Sequence, residues 1–76
     1  MATTPSAATG ANVRAEMARR QITQMELARQ LGLSQAAISA RIKGRTPFDI
    51  NELTAIARVL DVPLDALLPD PEPAAS

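Results

Sequence analysis

The side chains of this sequence that could do chemistry are suited to holding a polyanion and not to catalysing a reaction. The chain has no His and no Cys, which removes imidazole bases, thiolate nucleophiles and the usual zinc ligands. It also lacks a glycine-rich phosphate loop. We therefore expect no enzyme activity, no cofactor and no metal. What remains is a set of amide, hydroxyl and cationic side chains.

The cationic side chains are concentrated in one half of the sequence, although the net charge of the chain is zero. Residues 13–46 contain seven Arg or Lys and two Glu, whereas residues 47–76 contain one Arg and six Asp or Glu. Local potential governs the binding of a polyanion more than net charge does. The distribution favours a nucleic-acid partner, and the alternative is that these are ordinary solvated charges.

The stretch from Thr23 to Gly44 has the pattern of two short helices joined by a tight turn. Thr23 and Glu26 form the sequence of a capping box. Gly32 allows the positive φ of a sharp turn, and Ser34 can cap the second helix. Apolar residues recur at helical spacing in both helices, at Leu27, Ala28, Leu31, Ile38 and Ile42. This pattern is typical of a DNA-binding helix-turn-helix.

Three further helices are predicted around this motif. Asn12 can cap a helix that runs to about Arg20, with Val13 and Met17 as its inward stripe and Ala18 close by. Asp49 and Glu52 predict the cap of a fourth helix. Its apolar face contains Ile50, Leu53, Ile56, Ala57 and Leu60. A short fifth helix follows Pro63 at or near its first position, and we expect Leu64, Leu67 and Leu68 to close the bundle.

The sequence therefore predicts one all-α domain, a compact five-helix bundle over residues 12–68. Residues 1–11 contain no charge and little bulk, which predicts a flexible tail. Residues 69–76 form an acidic, Pro-rich segment that we expect to be disordered. No apolar run approaches the length of a membrane span and no signal peptide is visible. We expect a cytoplasmic protein, in a bacterial nucleoid or a phage-infected host, without a membrane partner.

Residues 13–68 resemble the lambda-repressor/Cro-like helix-turn-helix domain, also called the XRE family, of phage and bacterial regulators. The matching segments are Ile22-Thr-Gln, Glu26-Leu-Ala, Leu31-Gly-Leu-Ser-Gln, Ile38-Ser and Leu60-Asp-Val-Pro-Leu-Asp-Ala-Leu-Leu. Two positions depart from the family pattern. Gln21 replaces a frequent Gly, which predicts a turn that is looser or closed by water. Arg41 and Ile42 replace an apolar residue followed by an acidic one, which predicts a slight rotation of the third helix.

The resemblance implies that the third helix, residues 34–43, lies in the major groove of DNA. With Ile38 and Ile42 inward, the outward positions are Gln35, Ala36, Ser39 and Ala40. Gln35 is the best candidate for reading a base, since its amide can pair with adenine N6 and N7. The alanines offer methyl groups to thymine, or alternatively reflect only helix propensity.

The resemblance also implies a set of phosphate contacts. Gln24 opens the second helix, where free N–H groups and the helix dipole favour a phosphate, and relatives use a Gln there to brace the reading Gln. The predicted phosphate-binding residues are Gln24, Ser34, Arg41, Lys43, Arg45 and Thr46. Whether Arg41 reads bases or binds phosphate stays open. Arg14, Arg19, Arg20 and Arg29 are more consistent with a solvated surface, and Arg29 could pair with Glu26.

The predicted function is sequence-specific binding of double-stranded DNA by a transcriptional regulator, of the phage immunity-repressor or Cro-like type or a small host regulator. One such unit buries little surface on DNA, so we expect a homodimer on a pseudo-palindromic operator, with reading helices about 34 Å apart. Leu64 to Leu68 are a possible dimer surface, or simply core. No small-molecule ligand is expected. The alternative is an antitoxin-like or other interaction module.

Overall fold

The computed structural model describes residues 4–70, which form four α-helices and one short 3₁₀ helix. The elements are α1 (Pro5–Arg20), α2 (Gln24–Leu31), α3 (Gln35–Ile42), α4 (Ile50–Leu60) and the 3₁₀ helix Leu64–Ala66. No strand occurs within these residues, and none of their helices is long and apolar enough to cross a membrane. The all-helical bundle is confirmed, with four α-helices and not five.

The predicted fifth α-helix is wrong, because the chain makes only a single 3₁₀ turn at that point. Pro63 is the residue before the turn and gives no side-chain cap, and Pro69 follows closely. Pro69 also disfavours helical geometry at the residue before it, which leaves room only for a short piece of 3₁₀ helix, a form that is rarely longer than three or four residues. The turn still performs the predicted packing role, since Leu67 is completely buried.

Helix α1 has its cap eight residues earlier than the Asn12 cap predicted from sequence. Thr4 is its cap and accepts a hydrogen bond from the Ala7 N–H (3.1 Å), and Pro5 occupies the first turn, where a missing N–H costs little. Residues 5–11 are therefore helical, and their assignment to a flexible tail is wrong. Residues 1–3 and 71–76, also assigned to the tails, lie outside the described residues.

Small residues allow the first half of α1 to lie directly against the end of α3. A Cβ atom added at Gly10 would meet the Ile42 carbonyl group, with its carbon at 2.8 Å, and would lie 2.9 Å from the Arg41 oxygen. Gly44 has φ of 82°, and a Cβ atom there would lie 2.8 Å from the Cα of Ala7. These contacts, which we call the α1–α3 seam, stabilise residues 5–11 as a helix despite their lack of bulk.

The core lies between the four helices and follows the predicted apolar faces. Its buried residues are Val13, Met17, Leu27, Ala28, Ile38, Ile42, Leu53, Ile56, Ala57, Leu60 and Leu67, with Phe48 packed against them. Two predicted inward positions are wrong: Ile50 is 59% exposed and Leu68 is 37% exposed. Ile50 is the first residue of α4 and Leu68 follows the 3₁₀ helix, so both lie beyond the packed layer.

The turn after α1 is closed by backbone hydrogen bonds, so the predicted loose or water-closed turn is wrong. Gln21 adopts a left-handed conformation with φ of 57°. Its N–H donates to the Ala18 carbonyl (3.3 Å), and the Ile22 N–H donates to the Met17 carbonyl (3.0 Å). A non-glycine residue in this conformation is strained, and here the helix-capping bonds compensate for the strain.

Replacing Gln21 with Gly is therefore expected to stabilise the fold by roughly 0.5–1 kcal/mol, because Gly adopts the left-handed conformation without steric cost. Thermal unfolding followed by circular dichroism measures the change. Ala15→Gly is the matched control, since it places Gly at an exposed position inside α1 and is expected to destabilise by a similar amount. A lower melting temperature for Gln21→Gly than for the wild type would contradict the prediction.

Candidate nucleic-acid interface

Side-chain caps begin both α2 and α3, and a turn at Gly32 joins the two helices. The Glu26 N–H donates to Thr23 Oγ1 (3.1 Å) and the Thr23 N–H donates to Glu26 Oε1 (3.4 Å), which completes the predicted capping box. Gly32 has φ of 70° and ends α2. Ser34 Oγ accepts the Ala37 N–H (3.0 Å) at the start of α3. The predicted capping box, the turn glycine and the Ser34 cap are all confirmed.

Helix α3 presents one face to the core and another to solvent. Ile38 is fully buried and Ile42 is 7% exposed, so the inward side of α3 is as predicted. The slight rotation of α3 predicted from Arg41 and Ile42 does not change which side faces the core. Of the four predicted reading residues, Gln35 and Ala36 are exposed, whereas Ser39 and Ala40 are half-buried. The first turn of α3 is thus the part most open to a ligand.

The predicted phosphate-binding residues lie at the starts of α2 and α3 and just after the end of α3, apart from Arg41 in the last turn of α3. Gln24 is half-buried in the first turn of α2, and Ser34 is exposed at the start of α3. Lys43, Arg45 and Thr46 are exposed in the connection between α3 and α4. The Arg45 and Thr46 N–H groups both donate to the Ala40 carbonyl (3.0 and 3.4 Å). The connection is therefore anchored to α3 by its own backbone.

Arg41 differs from the other predicted phosphate ligands because its guanidinium group is already engaged. Its Nε donates to Glu52 Oε1 (3.1 Å) and its Nη1 donates to the Ala37 carbonyl oxygen (3.1 Å). The Arg41 side chain is 18% exposed and the Glu52 side chain 17%. The ion pair joins the last turn of α3 to the first turn of α4.

The remaining cations of the basic half behave as a solvated surface. Arg19 and Arg20 both pair with Glu16, at 2.7 and 2.6 Å, across helical spacings at which such pairs add only a few tenths of a kcal/mol. The Glu26 carboxylate bonds to Thr23 and no ion pair joins it to Arg29 within residues 4–70.

Sequence reasoning misses two residues that position this surface. The sequence identifies Glu52 only as a helix cap, because its separation of 11 residues from Arg41 gives no periodic signal. It places Gly10 in a tail, because the partner of Gly10 is the backbone of a distant helix. A signal for the longer α1 is present in Thr4-Pro5, which is a favoured sequence for a helix start.

The chain matches the helix-turn-helix family model over residues 13–67. This span contains α2, the turn and α3, together with α4 and about half of α1. Comparison with curated proteins gives no match.

Several solved structures share the fold. The clp gene regulator ClgR of C. glutamicum superposes with a TM-score of 0.81 at 23% identity, covering 87% of this chain and 86% of that chain. The hypothetical transcription factor NHTF of Neisseria gives 0.79 at 29% identity, covering 91% and 79%. Streptomyces albus HEPD, solved with 2-hydroxyethylphosphonate and Fe(II), gives 0.72 at 35% identity, covering 90% of this chain but 15% of that chain.

Proposed function

Since the chain belongs to the XRE-type helix-turn-helix family, we propose that it is a transcriptional regulator that binds a specific sequence of double-stranded DNA. Helix α3 lies in the major groove, as in other helix-turn-helix proteins. The observation that supports this proposal is the exposed first turn of α3, whose inward side is fixed by Ile38 and Ile42. HEPD resembles the chain over a small part of its own length, and we carry over neither its substrate nor its iron.

The base contacts are made by Gln35, Ala36, Ser39 and Ala40. Gln35 is exposed at the first position of α3, where its amide reaches an adenine edge as donor and acceptor together. Ala36 places a methyl group beside it for a thymine methyl. Ser39 and Ala40, half-buried on the following turn, add contacts only where the groove approaches closely.

The phosphate contacts flank this surface on both sides. Gln24 lies in the first turn of α2, where free N–H groups and the positive end of the helix dipole attract a phosphate. Ser34 retains a hydroxyl hydrogen to donate, since its oxygen acts as acceptor in the cap. Lys43, Arg45 and Thr46 contact the backbone on the far side of the groove. Such contacts fix register and add affinity without reading sequence.

The binding unit is a homodimer on a pseudo-palindromic site. A single module buries only roughly 600–1,000 Å² on DNA, which is small for specific recognition. Two copies related by a twofold axis would place their reading helices one turn of DNA apart. The segment Leu64–Leu68 is fixed to α1, because the Asn12 amide donates to the carbonyls of Leu67 and Leu68 (3.4 and 2.9 Å). Sedimentation with and without DNA measures the oligomeric state of the protein.

Within this class, we propose a repressor of the phage type, an immunity repressor or a Cro-like protein. A compact dimer that covers a promoter prevents access to it by occupancy alone, and so needs no surface for recruiting another protein. The charge distribution agrees with such a role: residues 13–46 contain seven Arg or Lys, and the proposal places the acidic side chains of residues 49–70 away from the DNA backbone. A reporter gene placed downstream of a site selected from a random pool of duplexes measures whether the protein lowers or raises transcription.

The role of Gln35 gives the experiment that tests the proposal. Gln35→Ala is expected to remove discrimination at one base pair of each half-site, a loss of about 1–3 kcal/mol at that position, while binding at other positions stays selective. Competition between the best duplex and duplexes changed at single positions measures this.

Gln30→Ala is the matched control, because Gln30 is exposed on α2 outside the proposed surface. It is expected to leave the preference at every position unchanged. A preference profile that is the same for Gln35→Ala and for the wild type would contradict the placement of the reading surface.

A further inference from the structure

We infer that Arg41 is a positioning residue and not a DNA ligand. Together with Glu52 it fixes the connection between α3 and α4, residues 43–49, and so determines where Lys43 and Arg45 lie relative to the reading turn of α3. The inference rests on the proposed function, because it assigns Lys43 and Arg45 to phosphate. In place of the phosphate contact predicted from sequence, Arg41 makes an ion pair within the protein.

The Arg41 guanidinium group is held at two of its nitrogen atoms. Its Nη1 donates to the carbonyl oxygen of Ala37, one turn earlier in α3, and its Nε donates to Glu52 Oε1, both at 3.1 Å. Together the two hydrogen bonds restrict the orientation of the planar guanidinium group. With both side chains less than one-fifth exposed, the pair is screened by solvent less than a surface pair.

A single oxygen atom of Glu52 has two roles. Glu52 Oε1 accepts the Arg41 Nε–H from the end of α3 and also the Asp49 N–H (3.0 Å) from the cap of α4. The Glu52 N–H in turn donates to Asp49 Oδ1 (2.7 Å). The last turn of α3 and the cap of α4 are thereby held by one carboxylate. Substitution of Arg41 or Glu52 would break the ion pair, and the connection would no longer be fixed to α3 by it.

The cations at the end of α3 and beyond it are of two kinds. The ion pairs found in residues 4–70 use Arg19, Arg20 and Arg41, and they do not use Lys43 or Arg45. The charge of Arg41 is compensated by Glu52 and adds little net attraction for phosphate. Lys43 and Arg45 are exposed at the start of the connection. They therefore provide the attraction, and Arg41 provides their placement.

The two roles predict opposite results for substitution of Glu52. If Arg41 bound phosphate, Glu52→Gln would release it, remove a nearby negative charge, and tighten binding. If Arg41 positions the connection, Arg41→Met and Glu52→Gln act alike, because each removes the attraction between opposite charges that makes the Arg41 to Glu52 hydrogen bond strong. Gln retains the oxygen that accepts the Asp49 N–H, so the helix cap persists. Met retains the aliphatic stem of Arg41.

The experiment measures the affinity of the full chain for a selected duplex and for a scrambled duplex over a range of salt concentrations. We expect Arg41→Met, Glu52→Gln and the double variant each to reduce the ratio of specific to non-specific affinity by about fivefold, with no further loss in the double variant. The slope of log K against log salt stays that of the wild type. Lys43→Met, the control, reduces the slope by about one. A slope reduced by one in Arg41→Met, or a ratio of specific to non-specific affinity that Glu52→Gln leaves unchanged or raises, would overturn the inference.

A second measurement does not depend on DNA. Amide hydrogen exchange of residues 43–49 is expected to be about tenfold faster in Arg41→Met and Glu52→Gln than in the wild type, and closer to the wild type in Arg41→Lys, which retains a charge for Glu52. Unchanged exchange in both variants would overturn the inference whether or not the chain binds DNA. Absence of salt-dependent binding by the wild type would instead overturn the proposed function.

Discussion

Duplex binding is expected to weaken about 10²-fold when the salt concentration rises from 50 to 200 mM. Only cationic contacts release counterions from the DNA, and the proposed ones are Lys43 and Arg45 from each copy. In a dimer these give a slope of log K against log salt of about −4. Gln24, Ser34 and Thr46 add hydrogen bonds to phosphate without adding to the slope.

Fluorescence anisotropy of a labelled duplex, titrated at several salt concentrations, measures this slope. Arg19→Met is the matched control, because Arg19 is exposed but paired with Glu16 on α1, away from the proposed interface. We expect its slope to equal that of the wild type. A wild-type slope near zero would mean that phosphate contacts do not drive the association.

The second large effect is expected at Gly10. In an exposed helix, Gly→Ala stabilises by roughly 0.5–1 kcal/mol. At Gly10 the new methyl group would instead meet backbone atoms of Ile42 and Arg41, which cannot rotate aside as a side chain would. Helix α1 would have to move away from α3 and loosen the packing of Val13. We expect a net loss of about 2–3 kcal/mol, toward the upper part of the range for overpacked cores.

For a domain of this size, such a loss lowers the melting temperature by roughly 10–20 °C, which circular dichroism detects. Ala11→Gly is the control, since Ala11 is exposed on the same helix and reports helix propensity alone. It is expected to cost about 1 kcal/mol. A higher melting temperature for Gly10→Ala than for the wild type would mean that α1 and α3 are not in close contact at the α1–α3 seam.

The features predicted correctly from sequence are those that depend on neighbouring residues. Caps at Thr23 and Asp49 and the turn at Gly32 are decided within a few positions, and the buried faces of α2, α3 and α4 follow helical periodicity. The same periodicity places Ile38 inward and therefore Gln35 outward. The helix-turn-helix motif can thus be identified from the sequence alone.

The features that sequence reasoning does not predict depend on contacts between distant segments. Residues 5–11 have little apolar surface of their own and are stabilised as a helix by the backbone of Ile42 and Gly44. The engagement of Arg41 is decided by Glu52 on another helix. In both cases the deciding partner is specified by tertiary packing, which local spacing does not encode.

The central claim is that the outward turn of α3 reads a specific DNA sequence, and selection of bound duplexes from a random pool tests it most directly. We expect the wild-type protein to enrich two inverted half-sites whose centres lie about one helical turn apart, with an adenine at the position where Gln35→Ala loses its preference. A pool that remains unenriched after repeated rounds, or that is enriched identically by Gln35→Ala, would contradict the claim.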